Sequence, residues 1–252
     1  MKITLAVFAL SFAGIVAFAQ RPAPDEIDTK KGKITIQPVL HASLVLQWNG
    51  QTIYVDPFGG ADPFAGLGDP NVVLITDIHG DHMNVETLDG LNTKSAKLVV
   101  PRAVADQLPE SYKDRLVILA NGEETRIGEI SIKAIPMYNL PDDETSRHKK
   151  GRGNGYVLEL GGKRIYISGD TEDIPEMRQL KNIDVAFVCM NLPYTMDINQ
   201  AASAVLEFQP AIVYPYHYRG QGGLADVEGF KQLVEKGEKT IEVRLRNWYP
   251  EQ

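Results

Sequence analysis

Four side chains that can bind a metal ion lie within a run of six residues, 77–82. They are Asp77, His79, Asp81 and His82, and they follow an apolar stretch that predicts a buried strand. In an extended segment Asp77 and His79 point to the same side, so they could share one ion. Gly80 permits a sharp turn that would direct Asp81 and His82 towards a second ion. Imidazole and carboxylate together suit zinc, iron or manganese, and this clustering favours a metal site over a polar turn that caps a helix.

This run resembles the signature of the metallo-β-lactamase superfamily, His-x-His-x-Asp-His after a buried strand, with Asp77 in place of the first histidine. The resemblance extends over about residues 34–218. It is closest to the branch that contains L-ascorbate-6-phosphate lactonase and the N-acyl-phosphatidylethanolamine phospholipase D enzymes. That branch has a histidine before a strand near its start, here His41, and an Asp-Pro pair after the next strand, here Asp56-Pro57. The resemblance implies a metal-dependent hydrolase with a four-layer αββα sandwich.

Three further metal ligands are implied by the resemblance. The bridging carboxylate of the superfamily lies in a Gly-Asp-Thr sequence at a strand end, which corresponds to Asp170. The last histidine follows a buried strand near the C-terminus, as His217 does, and another precedes a glycine-rich segment, as His148 does. On the superfamily template the first ion takes Asp77, His79 and His148, the second takes Asp81, His82 and His217, and Asp170 bridges both.

The resemblance also implies how these residues would act. Two ions ~3.5–4 Å apart can share a hydroxide and polarise the bond to be cleaved. Asp81 would orient the water or accept its proton. His41 is either a packed residue or a proton-donating group at the pocket rim, and Tyr194 or Tyr218 could stabilise an oxyanion. A carboxylate at position 77 adds a negative charge and a harder ligand than imidazole, which moves the metal preference from zinc towards manganese or iron.

The N-terminus predicts export. Lys2 precedes an apolar run over 3–17, and Ala17-Phe18-Ala19 matches a signal peptidase site, so residues 1–19 are a predicted signal peptide. The alternative is an uncleaved anchor, although the run is short for a bilayer. We therefore expect a secreted or periplasmic protein with no stable membrane span after cleavage. The single cysteine, Cys189, lies in an apolar run and predicts a buried, inert thiol.

The mature chain predicts one layered α/β domain over 33–252, preceded by a loose segment over 20–32. Predicted strands cover 34–38, 43–48, 52–55, 72–76, 98–100, 116–119, 129–137, 156–160, 164–168, 185–189, 212–216 and 241–246. Predicted helices cover 85–91, 102–108, 198–208 and 227–236. Since β-rich segments pass into strand–helix alternation without a low-complexity linker, one domain is favoured over two.

The leading hypothesis is an exported hydrolase that cleaves an ester, lactone or phosphodiester bond. The formal net charge of −7 argues against nucleic acid as a partner, so the substrate is expected to be a small molecule. The basic run 147–152 and Arg219 could attract an anionic one, although such runs are usually a solvated face. The alternatives are a di-iron redox protein, for whose flavin domain the chain has no room, and a non-catalytic metal-binding protein. Neither the substrate nor the oligomeric state is set by the sequence.

Overall fold

The first large sheet is built by the N-terminal half of the chain. The computed structural model describes residues 21–250, so the predicted signal peptide lies outside the described residues. The strands lie in sequence order: β1 (Asp25–Thr29), β2 (Gly32–Leu40), β3 (Ser43–Trp48), β4 (Gln51–Val55), β5 (Val72–Leu74), β6 (Lys97–Val100) and β7 (Leu116–Ile118). Strands β1 to β4 pair antiparallel and β4 to β7 pair parallel. Between them lie α1 (Val85–Gly90), α2 (Arg102–Ala105) and 3-10 turns at Asp62–Phe64 and Glu110–Arg115.

The second sheet follows the same plan in the C-terminal half. Its strands are β8 (Glu124–Ile127), β9 (Ile130–Met137), β10 (Gly153–Leu160), β11 (Lys163–Ile167), β12 (Val185–Cys189), β13 (Ile212–Tyr216) and β16 (Glu242–Val243). A hairpin of β14 (Arg219–Gly220) and β15 (Gly223–Leu224) projects after β13. The helices are α3 (Pro175–Arg178), α4 (Ile198–Phe208) and α5 (Val227–Gly237).

The two sheets pack face to face, and helices cover their outer faces. Alternate residues of β3 separate the layers: Leu44 and Leu46 join the core shared with the second sheet, whereas Val45 joins a cluster with α1 and α2. Burial of apolar side chains between layers is the main force that holds such a sandwich together. The predicted α/β sandwich with a single domain is confirmed. No helix within residues 21–250 has the length and apolarity to cross a membrane.

The N-terminal segment differs from the prediction. The segment 20–32 was expected to be loose, but β1 pairs residue by residue with β2, and Ile27 is buried opposite Ile34. Asp25 accepts a hydrogen bond from the hydroxyl of Tyr214 at 2.6 Å and forms an ion pair with Arg246 at 2.6 Å. The segment is rich in proline and charged residues, so composition predicted a loose segment although β1 pairs with the next strand.

Other differences are small. The predicted helix 102–108 keeps its helical form only over Arg102–Ala105, and the predicted strand 241–246 is limited to Glu242–Val243. Strand β8, helix α3 and the β14–β15 hairpin were not predicted. All are short elements, for which periodicity carries little signal.

Candidate metal centre

The predicted ligands lie in loops at the ends of the central strands of both sheets. The run 77–82 follows β5, Asp170 follows β11, His217 follows β13 and His148 precedes β10. The carboxyl ends of neighbouring parallel strands meet at one edge of a sheet, which is where such folds place their sites. The topology therefore brings together residues that are far apart in the sequence.

One group of ligand atoms comes from Asp77, His79 and His148. Their atoms all lie within 4.8 Å of one another. Oδ2 of Asp77 is 2.6 Å from Nδ1 of His79 and 3.9 Å from Nε2 of His148. These are the three residues that the superfamily template assigns to the first ion, and the structure brings them together.

A second group comes from His82, Asp170 and His217, whose atoms also lie within 4.8 Å of one another. Asp81 adjoins it, with Oδ2 3.5 Å from Nε2 of His217. Asp170 lies between the two groups. Its Oδ2 is 3.4 Å from Nε2 of His82 and 3.4 Å from Nε2 of His148, and its Oδ1 is 3.3 Å from Nε2 of His217. Asp170 thus places carboxylate oxygens next to both groups.

Several polar atoms of the two groups are buried without a hydrogen-bond partner. Among the described residues these include Nε2 of His82, Nε2 of His148 and Oδ1 of Asp170. Buried polar atoms in folded proteins are nearly always paired, so such a cluster at one point requires a reason. Imidazole nitrogens and carboxylate oxygens are the donors that divalent transition metals prefer, and the residues therefore fit metal ions.

Buried residues around the ligands fix the orientation of two imidazole rings. Nδ1 of His82 lies 2.9 Å from Oδ2 of Asp56, which also accepts a hydrogen bond from the Thr76 hydroxyl at 2.6 Å. Nδ1 of His148 lies 2.9 Å from Oδ1 of Asn139. When Nδ1 donates its hydrogen to such an oxygen, Nε2 is left with a free lone pair for a metal. Sequence reasoning gave neither Asp56 nor Asn139 this role.

Carboxylates and imidazoles in the cluster shift one another's pKa. Burial raises the pKa of Asp170, but the charges of His217 and His82 outweigh it and hold that pKa well below its usual range. Burial lowers the pKa of His82, and Asp170 and Asp56 more than offset it, so the pKa of His82 is well above its usual value. Burial likewise raises the pKa of Asp77, yet the hydrogen bond from His79 and the nearby cations bring it to about 2. The cluster thus keeps ionised carboxylates buried, ready to attract cations.

His41 lies beside the second group rather than away from the site. One of its ligand atoms is within 4.8 Å of those of Asp81 and His217, and its ring centroid is 5.6 Å from that of His217. The hydroxyl of Tyr249 is 3.3 Å from Nδ1 of His41 and accepts a hydrogen bond from the backbone N–H of Arg219 at 3.1 Å. Burial, followed by the charge of His217, lowers the pKa of His41 to about 4, so this imidazole is neutral at physiological pH.

The candidate oxyanion donor Tyr218 is engaged elsewhere. Its hydroxyl donates to the carbonyl of Arg246 at 3.1 Å and accepts from the backbone N–H of Trp248 at 3.3 Å. Tyr218 therefore holds the C-terminal segment in place. The ring of Tyr194 lies under the guanidinium of Arg147, 4.4 Å from its centroid. The hydroxyl of Tyr249, which the sequence did not single out, contacts His41 instead.

The basic run 147–152 is not a free cationic patch. Lys149 pairs with Glu144, Lys150 pairs with Glu176 at 2.7 Å, and Arg152 pairs with Asp77 at 3.1 Å. Cys189 is fully buried, and burial raises the pKa of its thiol to about 11, in agreement with an inert core residue.

The fold and the ligand set define a class of protein. The family described as Beta-lactamase superfamily domain matches residues 35–217, and the chain belongs to that superfamily. The protein is a metal-dependent hydrolase of the metallo-β-lactamase type. It is 31% identical to a UPF0173 metal-dependent hydrolase of Pyrococcus furiosus over 217 residues, 82% of this chain and 93% of the relative.

Solved structures agree with this assignment. A candidate metal-dependent hydrolase from Parabacteroides distasonis is 34% identical, with a TM-score of 0.79 over 89% of this chain and 98% of that one. A metallo hydrolase from Ignicoccus hospitalis is 23% identical, with a TM-score of 0.72 over 87% of this chain and 96% of that one. The second likeness shows the fold alone.

Proposed function

We propose that this protein is an exported hydrolase that holds two divalent ions and cleaves an ester, lactone or phosphodiester bond of a small anionic molecule. The position of Asp170 between the two groups of ligand atoms is the observation that supports two ions rather than one. Asp77, His79 and His148 would hold one ion, and His82, His217 and Asp81 the other, with Asp170 shared. Bound divalent ions supply a nucleophilic water at neutral pH and polarise the scissile group.

Asp81 is placed to handle the proton of the attacking water. Its side chain is 38% exposed, whereas those of His82 and His217 beside it are buried. Burial raises the pKa of Asp81, but the hydrogen bond with His217 and the charge of His82 outweigh it, so the pKa lies below its usual range. The carboxylate is therefore ionised at neutral pH and accessible to solvent, where it can orient water.

His41 and Tyr249 would act on a substrate oxygen next to Asp81 and His217. The Tyr249 hydroxyl accepts from the backbone N–H of Arg219, so its own proton is free to be donated to Nδ1 of His41. A neutral imidazole that accepts at Nδ1 carries its hydrogen on Nε2. His41 would then donate a hydrogen bond from Nε2 to substrate oxygen as charge develops on it.

The position of Arg219 supports the proposal that the substrate is anionic. Its guanidinium is stacked over the ring of Tyr249, 4.3 Å from the centroid. Stacking holds a planar guanidinium in place while leaving its N–H donors free for a carboxylate or phosphate. Resemblance to the lactonase and phospholipase D branch supports a substrate of this kind. The descriptions of the relatives as hydrolases favour this function over the redox and non-catalytic alternatives.

The substrate proposal is tested with a panel of lactones, aryl esters and phosphodiesters, each in a neutral form and a form with a remote carboxylate. We expect hydrolysis that stops on chelation and returns with zinc or manganese. Arg219→Gln should raise KM for the anionic forms about tenfold with kcat nearly unchanged, because it removes binding that the ground state and the transition state share equally. The matched control is Arg126→Gln, an exposed arginine on β8. Equal KM changes for neutral and anionic forms would contradict this role for Arg219.

Export is tested separately. Because the predicted cleavage follows Ala19, exported protein should begin at Gln20, either free or cyclised to pyroglutamate. Mass analysis of the N-terminus of material recovered outside the cytoplasm measures this directly. An N-terminus that still carries Met1 or Lys2 would reject cleavage and support an anchor instead.

A further inference from the structure

Arg152 contacts the residue at which this chain departs from the common superfamily signature. Its Nε donates to Oδ1 of Asp77 at 3.2 Å, and its Nη2 donates to Oδ2 of Asp77 at 3.1 Å. Two parallel bonds of this kind fix both the position and the plane of a carboxylate. Asp77 therefore cannot rotate freely towards or away from His79 and His148.

The backbone brings Arg152 to this position. The N–H of Asn154, at the start of β10, donates to the carbonyl of Thr76 at 2.9 Å, so residues 152 and 77 lie close together across that contact. Gly153 permits the approach, because a Cβ there would clash with the side chain of Met137 and lie 2.9 Å from the carbonyl oxygen of Thr76. The pair is thus part of the strand packing and not a chance surface contact.

The opposite charges of Asp77 and Arg152 cancel at a largely buried position. The Asp77 side chain is fully buried, and that of Arg152 is 20% exposed. A guanidinium does not lose its proton in proteins, so Arg152 always carries its positive charge. Asp77 with Arg152 has no net charge, as a neutral imidazole has none. The extra negative charge that Asp77 alone would add to the first group is therefore offset.

We propose that Arg152 is the required partner of an aspartate at position 77: it orients the carboxylate and cancels its charge, and so it sets which metal the first group selects. This inference rests on the proposed metal centre. The negative charge of Asp77 alone was expected to favour manganese or iron over zinc. Arg152 cancels that charge and so removes this contribution to the metal preference. Only the harder character of the oxygen ligand remains.

If the pairing is right, histidine at position 77 should support normal metal binding only when Arg152 is replaced as well. In Asp77→His, the guanidinium of Arg152 loses its carboxylate partner and faces an imidazole instead. When a metal ion is bound, no carboxylate at position 77 separates the two positive charges. We expect metal binding at one site to weaken ~10- to 100-fold. Asp77→His with Arg152→Gln removes the stranded cation, and its zinc affinity should return to within about threefold of wild type. Arg152→Gln alone should shift the zinc-to-manganese affinity ratio towards manganese.

The experiment measures zinc and manganese affinity by chelator competition, and bound metal by elemental analysis, for the wild type and these three variants. The matched control is Lys149→Gln, which removes a positive charge from the same segment and should leave affinity unchanged. Arg152→Lys keeps the charge but not the paired bonds, so it should shift the metal ratio less than Arg152→Gln does. This comparison does not depend on whether Asp77→His folds.

The outcomes separate the two proposals. Wild-type affinity in Asp77→His, or no recovery in the double variant when it is folded by circular dichroism, would overturn the pairing. A manganese shift in Arg152→Lys as large as that in Arg152→Gln would also overturn it. If the wild-type protein itself takes up no metal, the proposed metal centre fails instead.

Discussion

Asp170→Asn is expected to remove most of the hydrolytic activity and to lower the bound metal in both groups. The two carboxylate oxygens of Asp170 face His82, His148 and His217 at 3.3 to 3.4 Å, so one side chain serves both groups. The amide of Asn has the same shape but no charge, and only one of its two polar atoms can accept. Loss of a residue that only hydrogen-bonds to a metal ligand lowers metal affinity or activity ~10- to 100-fold. Loss of a ligand shared by both groups should have a larger effect than this.

The test compares metal content and turnover of Asp170→Asn with those of Asp114→Asn, an exposed aspartate in the 3-10 turn before β7. Circular dichroism should show that both variants fold. If Asp170→Asn keeps its metal and its turnover, Asp170 is not a ligand. Loss of metal from one group alone would reject the bridging role and leave Asp170 in a single group.

Asp56→Ala is expected to lower both the stability of the metal-free protein and its metal affinity. Asp56 is fully buried, and its oxygens accept from the backbone N–H of Thr76 at 2.7 Å and from the Thr76 hydroxyl at 2.6 Å, with His82 at 2.9 Å. Removal of one member of a buried charged network costs about 3–5 kcal/mol in the free energy of unfolding. The ring of His82 also loses the partner that fixes its orientation, which should weaken metal binding ~10- to 100-fold.

Urea unfolding of the metal-free protein and a zinc titration measure these effects. The control is Asp28→Ala, an exposed aspartate on the edge strand β1, which should change the free energy of unfolding by less than ~0.5 kcal/mol. The loss in free energy of unfolding for Asp56→Asn should lie between those of Asp56→Ala and Asp28→Ala. Its amide oxygen still accepts one hydrogen bond, and Asn tolerates the positive φ found at this position. A stable Asp56→Ala variant with unchanged zinc affinity would show that Asp56 does not orient His82.

Much of the site could be predicted because its chemistry is concentrated in one short run. His79, Asp81 and His82 lie on a single turn, where spacing alone indicates shared ions. Asp170, His148 and His217 needed the superfamily resemblance, because one strand-end aspartate or histidine carries little information alone. The structure brings all of them to one place. Most strands were predicted because buried strands are marked by continuous or alternating apolar residues.

The residues whose roles could not be predicted from the sequence act through contacts with distant parts of the chain. Arg152 meets Asp77 across 75 positions, and Tyr249 meets His41 across 208. Nothing in the local pattern of a Gly-Arg-Gly run or a C-terminal Trp-Tyr pair indicates such a partner. The strand β1 escaped prediction for a different reason: its partner β2 is the next strand along the chain, but β1 is rich in charged residues.

The metal content of the reconstituted wild-type protein tests the account most directly. The metal-free protein is incubated with excess zinc or manganese, passed through a desalting column and analysed for metal per chain, beside His217→Ala. We expect about two ions per chain in the wild type, as in other two-metal hydrolases, and about one in the variant. Uptake of no ion by folded wild-type protein would contradict the metal centre, and uptake of a single ion that His217→Ala leaves unchanged would contradict the assignment of two groups.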